Sequence, residues 1–145
     1  MGKRRSSRQL ALRTLFQVDV GRISADEAMS VSLSAGDGSA DTQVFARELV
    51  VKVTDNRPCI DAIIQKYARG WTLERMANVD RNILRLAICE LLYFSDIPAS
   101  VTVDEAVELA KKYSTAESGR FVNGILGNVV RHLDEEKQEA EQCRP

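Results

Sequence analysis

The most constraining feature of the sequence is an apolar segment over residues 79–95. On a helix its apolar residues would cover nearly all sides: Val79, Ile83, Leu84, Leu86, Ala87, Ile88, Cys89, Leu91, Leu92, Tyr93 and Phe94. A helix that is apolar all round lies at the centre of a fold, covered by other elements. Asp96-Ile97-Pro98 ends it, because the residue before a proline disfavours helical backbone. The rest of the chain must therefore supply elements that bury this helix.

Apolar residues at helical spacing predict those covering elements. The predicted helices span residues 6–20, about 24–33, 42–54, Pro58 to near Gly70, a turn at 72–76, about 103–113 and about 117–135. The predicted N-terminal caps are Ser6 or Ser7, Ser24, the pair Thr102 and Glu105, and the pair Ser114 and Glu117. No segment predicts a convincing strand. We therefore expect an all-α single compact domain of about seven helices.

The clearest loop and the charged ends set the expected boundaries. Residues 34–41 are rich in Gly, Ser and Asp, and could divide the domain into two helical halves. The helical domain is expected over 1–137, with residues 1–8 as a basic arm. Residues 138–145 are expected to form an acidic, frayed tail.

Composition argues against several classes of protein. With 44% apolar and 28% charged residues, the 145-residue chain has an ordinary globular profile. No run of 18 apolar residues occurs, so we expect no transmembrane helix. Cys59, Cys89 and Cys143 match no metal or redox motif, and a reduced cytosolic protein is the simplest interpretation. With one histidine, His132, and no nucleophile–base pair, we expect no metal, no cofactor and no enzymatic activity.

Positive charge is concentrated at the N-terminus. Residues 1–13 hold five basic residues and no acid, although the whole chain has a net charge of −1. This asymmetry predicts an anionic partner, with nucleic acid as the leading candidate, and a solvated, frayed N-terminus is the alternative. Guanidinium groups bind phosphates bidentately and stack on bases, which suits single-stranded or looped RNA. The candidate residues are Lys3, Arg4, Arg5 and Arg8.

Two aromatic residues have two possible roles. Phe121 falls at the margin of an apolar helical stripe, so it is either a core side chain or a partly exposed ring on which a base stacks. The neighbouring Arg120 favours the second role and is a further RNA-binding candidate. Phe16 has the same ambiguity near the end of the first helix.

Polar residues interrupt the apolar segment: Asp80, Arg81, Asn82, Arg85 and Glu90. They either pair with other helices, for example Arg85 with an acid at a helix end, or form a polar stripe that faces a protein partner. The sequence leaves both interpretations open.

Several pieces of the sequence, in order along the chain, form a pattern that can be compared with known families. The pieces are Arg4-Arg5-Ser6-Ser7-Arg8, Ala11 with Leu15-Phe16, Trp71-Thr72-Leu73-Glu74-Arg75-Met76, Val79-Asp80-Arg81-Asn82-Ile83-Leu84-Arg85-Leu86-Ala87, Glu90-Leu91, Asp96-Ile97-Pro98, Val103-Asp104-Glu105-Ala106-Val107-Glu108-Leu109-Ala110-Lys111 and Phe121-Val122-Asn123-Gly124-Ile125-Leu126. One such piece would be weak, whereas the ordered set is specific. It resembles the NusB family of bacterial transcription antitermination proteins over about residues 4–130.

This resemblance implies an all-helical fold of two helical subdomains that binds the boxA element of nascent ribosomal RNA transcripts. It also implies a heterodimer with NusE, the small-subunit ribosomal protein S-ten, which together with this chain would help RNA polymerase to read through termination signals. Carried over by position, the implied RNA contacts are Arg4, Arg5, Arg8, Phe16, Glu117 and Phe121. The implied partner surface includes Glu74, Asn78, Asp80 and Arg85.

The sequence departs from the family pattern at three positions. Phe16 stands where tyrosine is frequent, so stacking on RNA would survive while a hydroxyl contact is lost. Ser7 replaces a common alanine, and Glu117 replaces an aspartate. Some relatives form homodimers that hide the arginine arm. The alternative function is therefore a protein-interaction scaffold or homodimer whose arm serves dimerisation rather than RNA binding.

Overall fold

The computed structural model describes residues 3–34 and 39–143, and within these ranges the chain is helical without a strand. The elements are α1 (Lys3–Gly21), α2 (Ala25–Ser34), α3 (Ala40–Asp55), α4 (Arg57–Tyr67), a 3₁₀ turn (Leu73–Arg75), α5 (Asn78–Tyr93), α6 (Ala99–Tyr113), α7 (Ala116–Arg131) and α8 (Leu133–Cys143). The all-α prediction is confirmed. Of the predicted loop over 34–41, residues 35–38 lie outside the described ranges.

Helix α5 is the centre of the fold, as its apolar sequence predicts. It contacts α1, α3, α4, α6, α7 and α8. Ile83, Leu84 and Ile88 are fully buried, and each such side chain contributes about 1.5–3 kcal/mol when it leaves water. Helices α1, α2 and α3 pack on one another, and α6 packs closely against α7. Helix α5 thus joins an N-terminal group of helices to a C-terminal group.

The basic arm is helical. Helix α1 begins at Lys3, three residues before the predicted start. Arg4, Arg5 and Arg8 are therefore held at helical spacing on the first turns of a helix that packs against α3 and α5.

The caps were predicted with mixed success. Ser24 Oγ accepts a hydrogen bond from the backbone N–H of Glu27 at 3.1 Å, which confirms that cap. The cap at Thr102 is wrong, because α6 begins at Ala99 and Thr102 is buried inside it. The cap at Ser114 is also wrong, since Thr115 Oγ1 accepts the N–H of Ser118 at 3.0 Å.

The C-terminal region differs from expectation in two ways. Residues 138–143, expected to fray, continue α8, whose Ala140 is buried against the core. Cys143 forms a disulfide with Cys59 of α4 across a sequence separation of 84. The expectation of a fully reduced chain is therefore wrong for this pair, because the fold brings together two cysteines that no sequence motif relates. Cys89 is buried, as expected of a small core residue.

Candidate nucleic-acid interface

Arg4 and Arg5 present positive charge on the outer face of α1. The Arg4 guanidinium lies 4.0 Å from the centroid of the Phe45 ring, a cation–π geometry. It also approaches the Asp96 carboxylate at 3.9 Å, and about half of its side chain is exposed. Lys3 belongs to the same helix, but its side chain lies outside what the structure describes. Arg4 therefore sits at the surface as the arginine arm predicts.

Arg5 is held by a carboxylate of α6. Its Nε and Nη2 atoms donate to the two oxygens of Glu105 at 3.0 and 2.7 Å. The hydrogen bond from Arg5 is the largest cause of a lowered pKa at Glu105, so this carboxylate is ionised at neutral pH. The Arg5 side chain is 45% exposed, whereas that of Glu105 is 16% exposed. The pair thus fixes an arginine at the surface.

Arg8, which is predicted to contact RNA, lies in the interior of the structure. Its side chain is 5% exposed. Nε and Nη2 donate to the two oxygens of Glu90 on α5 at 2.7 and 2.8 Å. Thr102 Oγ1 donates to the same carboxylate at 3.1 Å. Such a buried, doubly bonded pair leaves Arg8 to hold α1 against α5 rather than to contact a ligand directly.

Phe121 of α7 lies between the core and the surface. Its ring packs partly against the core, and it meets Trp71 edge to face, with ring centroids 6.4 Å apart. Trp71 is 49% exposed. Both rings line a pocket of about 480 Å³, which is also bordered by Arg75, Met76, Ala77, Asp80, Thr115, Glu117, Ser118 and Arg120. Glu117 and Arg120 are exposed on the same helix. The structure therefore brings three of the predicted RNA contacts, Glu117, Arg120 and Phe121, into one pocket.

A groove between α6 and α7 connects this pocket to the arm. The groove has a volume of about 800 Å³, and Arg5 and Arg120 both border it. Lys111 and Asn123 line it as well. Because Arg120 also lines the aromatic pocket, the arm, the groove and the pocket form one continuous surface. Sequence reasoning missed Lys111 and Asn123, whose only signal was their place within family-like segments.

Phe16 lines neither the aromatic pocket nor the groove. It is 36% exposed on α1, which leaves a ring face available to a ligand. The structure brings it into none of the pockets described above.

The predicted partner residues divide into exposed and buried ones. Glu74 and Asn78 are exposed, and they are the sequence neighbours of Arg75 and Ala77, which line the aromatic pocket. Asp80 is buried, and its Oδ2 accepts a hydrogen bond from Ser118 at 3.0 Å, while Oδ1 has no partner among the described residues. Arg85, the fourth predicted partner residue, is also buried, with 4% of its side chain exposed.

Arg85 belongs to a charge network at the end of α1. Its Nη1 lies 3.1 Å from Asp19, and its Nε donates to Asp61 of α4 at 2.8 Å. Asp19 also accepts from Arg81 at 2.9 Å and from Asn82 at 3.0 Å. Burial favours the neutral form of Asp19, yet these bonds together with the charges of Arg85 and Arg81 hold its pKa below the ordinary value. The pairing of Arg85 with an acid near a helix end is thereby confirmed.

Residues 3–34 and 39–143 contain no cluster of three or more His, Cys, Asp or Glu residues suited to a metal ion. None of the helices in these ranges is long and apolar enough to span a membrane.

Comparison with known sequences finds relatives along nearly the whole chain. A profile of the NusB family matches residues 5–131. The transcription antitermination protein NusB of Geobacillus kaustophilus is 50% identical over 131 residues, covering 90% of this chain and 98% of that protein. The protein of the same name from Heliobacterium modesticaldum is 46% identical over 145 residues, covering 98% of this chain and 70% of that protein.

Solved structures share the fold. T. maritima NusB superposes with a TM-score of 0.84 at 39% identity, covering 94% of this chain and 96% of that chain. A chain in the crystal structure of antitermination factors NusB and NusE in complex with double-stranded RNA gives a TM-score of 0.83 at 27% identity. That similarity covers 90% of this chain and 98% of that chain.

Proposed function

The chain belongs to the NusB family, and from that premise we propose that it is a transcription antitermination factor. It binds boxA-type RNA of nascent ribosomal transcripts together with NusE, and in this complex it promotes processive transcription by RNA polymerase. It does so in the cytoplasm and by binding rather than by catalysis. The name of its relatives supports the activity, and the solved complex of NusB, NusE and RNA supports the assembly.

The observation that carries the RNA-binding proposal is the continuous surface from the arm to the aromatic pocket. Arg5 and Arg120 border one groove, and Arg120 also lines the pocket that holds Trp71 and Phe121. Guanidinium groups spaced along a groove suit the phosphates of a single strand, and exposed rings suit its unstacked bases. Arginines and aromatic rings therefore occur together as single-strand recognition requires.

Each proposed contact follows from the chemistry of its side chain. Arg4, Arg5, Arg120 and Lys3 bind phosphates. Phe121 and Trp71 stack with a base, which contributes about 1–3 kcal/mol per base, and Phe16 offers a third ring. Glu117 accepts a hydrogen bond from a base amino group.

The proposed partner surface adjoins the RNA surface. Asp80, assigned to the partner, lines the same pocket as Phe121, assigned to RNA. Glu74 and Asn78 are exposed and directly flank the 75–77 segment that lines this pocket. Since the two surfaces meet here, we expect RNA and NusE to bind cooperatively, with Arg85 supporting the surface from below.

The test is a titration of fluorescent boxA RNA with the full chain, with and without NusE, at about 50 and 200 mM salt. We expect binding that weakens with salt and tightens when NusE is added. An RNA of the same length with a shuffled sequence is the control. A folded protein that binds neither RNA under any of these conditions would contradict the proposal and leave the scaffold role.

A further inference from the structure

Four charged side chains form a chain of contacts from the core to the RNA surface. Glu90, fully buried on α5, holds Arg8 through two hydrogen bonds. Arg8 Nη1 lies 3.7 Å from Glu105 Oε1. Glu105 in turn holds Arg5 through two hydrogen bonds. The order from inside to outside is Glu90, Arg8, Glu105 and Arg5.

We propose that Glu105 is a positioning residue for RNA binding, which holds the Arg5 guanidinium ready for a phosphate. This inference rests on the proposed function, and it adds a residue that makes no contact with RNA itself. The Glu105 side chain is 16% exposed, so it acts through Arg5. Arg8 anchors Glu105 from the other side.

The geometry of the pair supports this role. Glu105 takes up the edge of the guanidinium formed by Nε and Nη2. The remaining nitrogen, Nη1, has no hydrogen-bond partner within residues 3–34 and 39–143, and the side chain is 45% exposed. Ordering a long side chain in advance removes part of the entropy that binding would otherwise cost. A phosphate therefore meets an arginine that is already oriented and still has a donor edge free.

The Glu105 carboxylate also repels RNA phosphates, which by itself would weaken binding. Glu105 is neutralised from two sides, by Arg5 at 2.7 Å and by Arg8 at 3.7 Å. Repulsion at longer range is screened by salt. We therefore expect positioning to outweigh repulsion at this residue.

Glu108 provides a matched control one turn further along α6. It lines the same groove, and its carboxylate lies 3.4 Å from Lys111, with no hydrogen bond to Arg5. Substituting Gln for either glutamate removes the same charge from the same groove. Glu108 acts on Arg5 only through its charge, whereas the change at Glu105 also disrupts the two hydrogen bonds that orient the guanidinium.

The experiment measures boxA RNA affinity by anisotropy for the wild type, Glu105→Gln and Glu108→Gln, and for Arg5→Ala with and without Glu105→Gln. We expect Glu105→Gln to weaken binding about two- to tenfold, the range that follows from freeing one long side chain. We expect Glu108→Gln not to weaken binding, because it removes a negative charge from the groove and leaves both hydrogen bonds of Arg5 in place. In the Arg5→Ala background, Glu105→Gln no longer weakens binding, because the residue it positions is absent.

A spectroscopic readout separates positioning from general damage to the fold. The Nε–H resonance of Arg5 exchanges slowly with water in the wild type and rapidly in Glu105→Gln, while the amides of α5 keep their protection. The inference is overturned if Glu105→Gln raises affinity, leaves it unchanged, or weakens it equally with and without Arg5. If Arg5→Ala weakens binding but Glu105→Gln does not, only this inference fails. If the folded wild type does not bind RNA, the proposed function and this inference fail together.

Discussion

Arg4 and Arg8 have opposite environments, although residues four positions apart lie on the same face of a helix. Arg4 lies at the surface, whereas Arg8 is buried in a pair with Glu90. The sequence contains a signal for this difference, since Arg8 lies three and four positions before the buried Ala11 and Leu12 and so falls on their stripe. The partner could not be predicted, because it lies 82 positions away and the fold alone brings it close.

Removing Arg8 is expected to destabilise the protein. Arg8→Ala leaves the Glu90 carboxylate buried without its counter-charge, and breaking a buried pair in this way costs about 3–5 kcal/mol. Urea unfolding monitored by circular dichroism measures the change. Arg4→Ala is the matched control, expected to fall within about 0.5 kcal/mol of the wild type because Arg4 is a surface residue. An Arg8→Ala protein of wild-type stability that no longer binds RNA would instead assign Arg8 a direct contact.

At the scale of elements, helix positions followed from periodicity, and helix ends were harder to predict. Helix α6 begins at Ala99, before the Thr102 and Glu105 pair that resembles a cap. Both side chains bond to other helices instead: Thr102 donates a hydrogen bond to Glu90, and Glu105 accepts one from Arg5. Helix α8 illustrates the same limit, since its acidic sequence has few apolar residues and it is held by packing against α4, α5 and α7. Contacts with other helices therefore determine where these helices begin and end, which the local sequence leaves ambiguous.

The disulfide is expected to hold α8 in place. Cys143→Ser, or reduction of the wild type by a dithiol, removes the covalent link between α8 and Cys59, a change that costs about 2–4 kcal/mol in typical proteins. Amide hydrogen exchange is expected to accelerate in residues 133–143, while α5 remains protected. Cys89→Ser is a poor control because Cys89 is buried, so the oxidised wild type serves instead. Unchanged exchange in α8 after reduction would show that noncovalent contacts suffice.

A second support of α8 is expected to depend on pH. Glu136 is buried and accepts hydrogen bonds from Lys66 Nζ at 2.8 Å and from the Tyr67 hydroxyl. Burial favours its neutral form, but these bonds and the charge of Lys66 keep its pKa below the ordinary value of 4.5. Its ionised form therefore stabilises the fold fully above about pH 4.5 and loses that effect as the pH falls through the lowered pKa.

Comparing Glu136→Gln with the wild type tests this dependence. The stability gap between them is expected to be largest at neutral pH and to shrink in acid, as urea unfolding at pH 7 and below pH 4 would show. Glu139→Gln is the matched control, since Glu139 contacts the same Lys66 at 3.3 Å but is 65% exposed. A gap that stays constant with pH would contradict the pKa assignment.

For the whole molecule, the apolar segment at 79–95 was sufficient to predict a central helix and an all-α domain. The candidate site could be predicted only as separate residues. Arg5 and Arg120 are distant in sequence, and their position on one groove depends on how α1, α6 and α7 pack. Trp71 appeared only within a family-like segment, and its contact with Phe121 emerged from the fold. Long-range packing, which no local pattern encodes, assembled the surface.

If one RNA strand occupies the whole surface, both ends of the groove contribute to its salt dependence. Each phosphate contact on a single strand adds about −0.7 to the slope of log K against log salt. We expect Arg5→Ala and Arg120→Ala each to reduce the slope by about 0.7, and the double variant by about twice that. Anisotropy titrations over a series of salt concentrations measure these slopes. A double variant with the slope of one single variant would mean that the strand reaches only one end.

Because the arm is helical before RNA binds, most of the ordering on binding is expected in the RNA and little in the protein. A disordered basic tail would become ordered on meeting RNA, at a substantial entropic cost and with a large negative heat-capacity change. Here Arg4 and Arg5 already stand on a packed helix, one stacked on Phe45 and the other bonded to Glu105. The binding surface of the protein is therefore ordered before RNA binds, and we expect the flexible single strand to undergo most of the conformational change. Calorimetry of the complex would accordingly register chiefly the ordering of RNA.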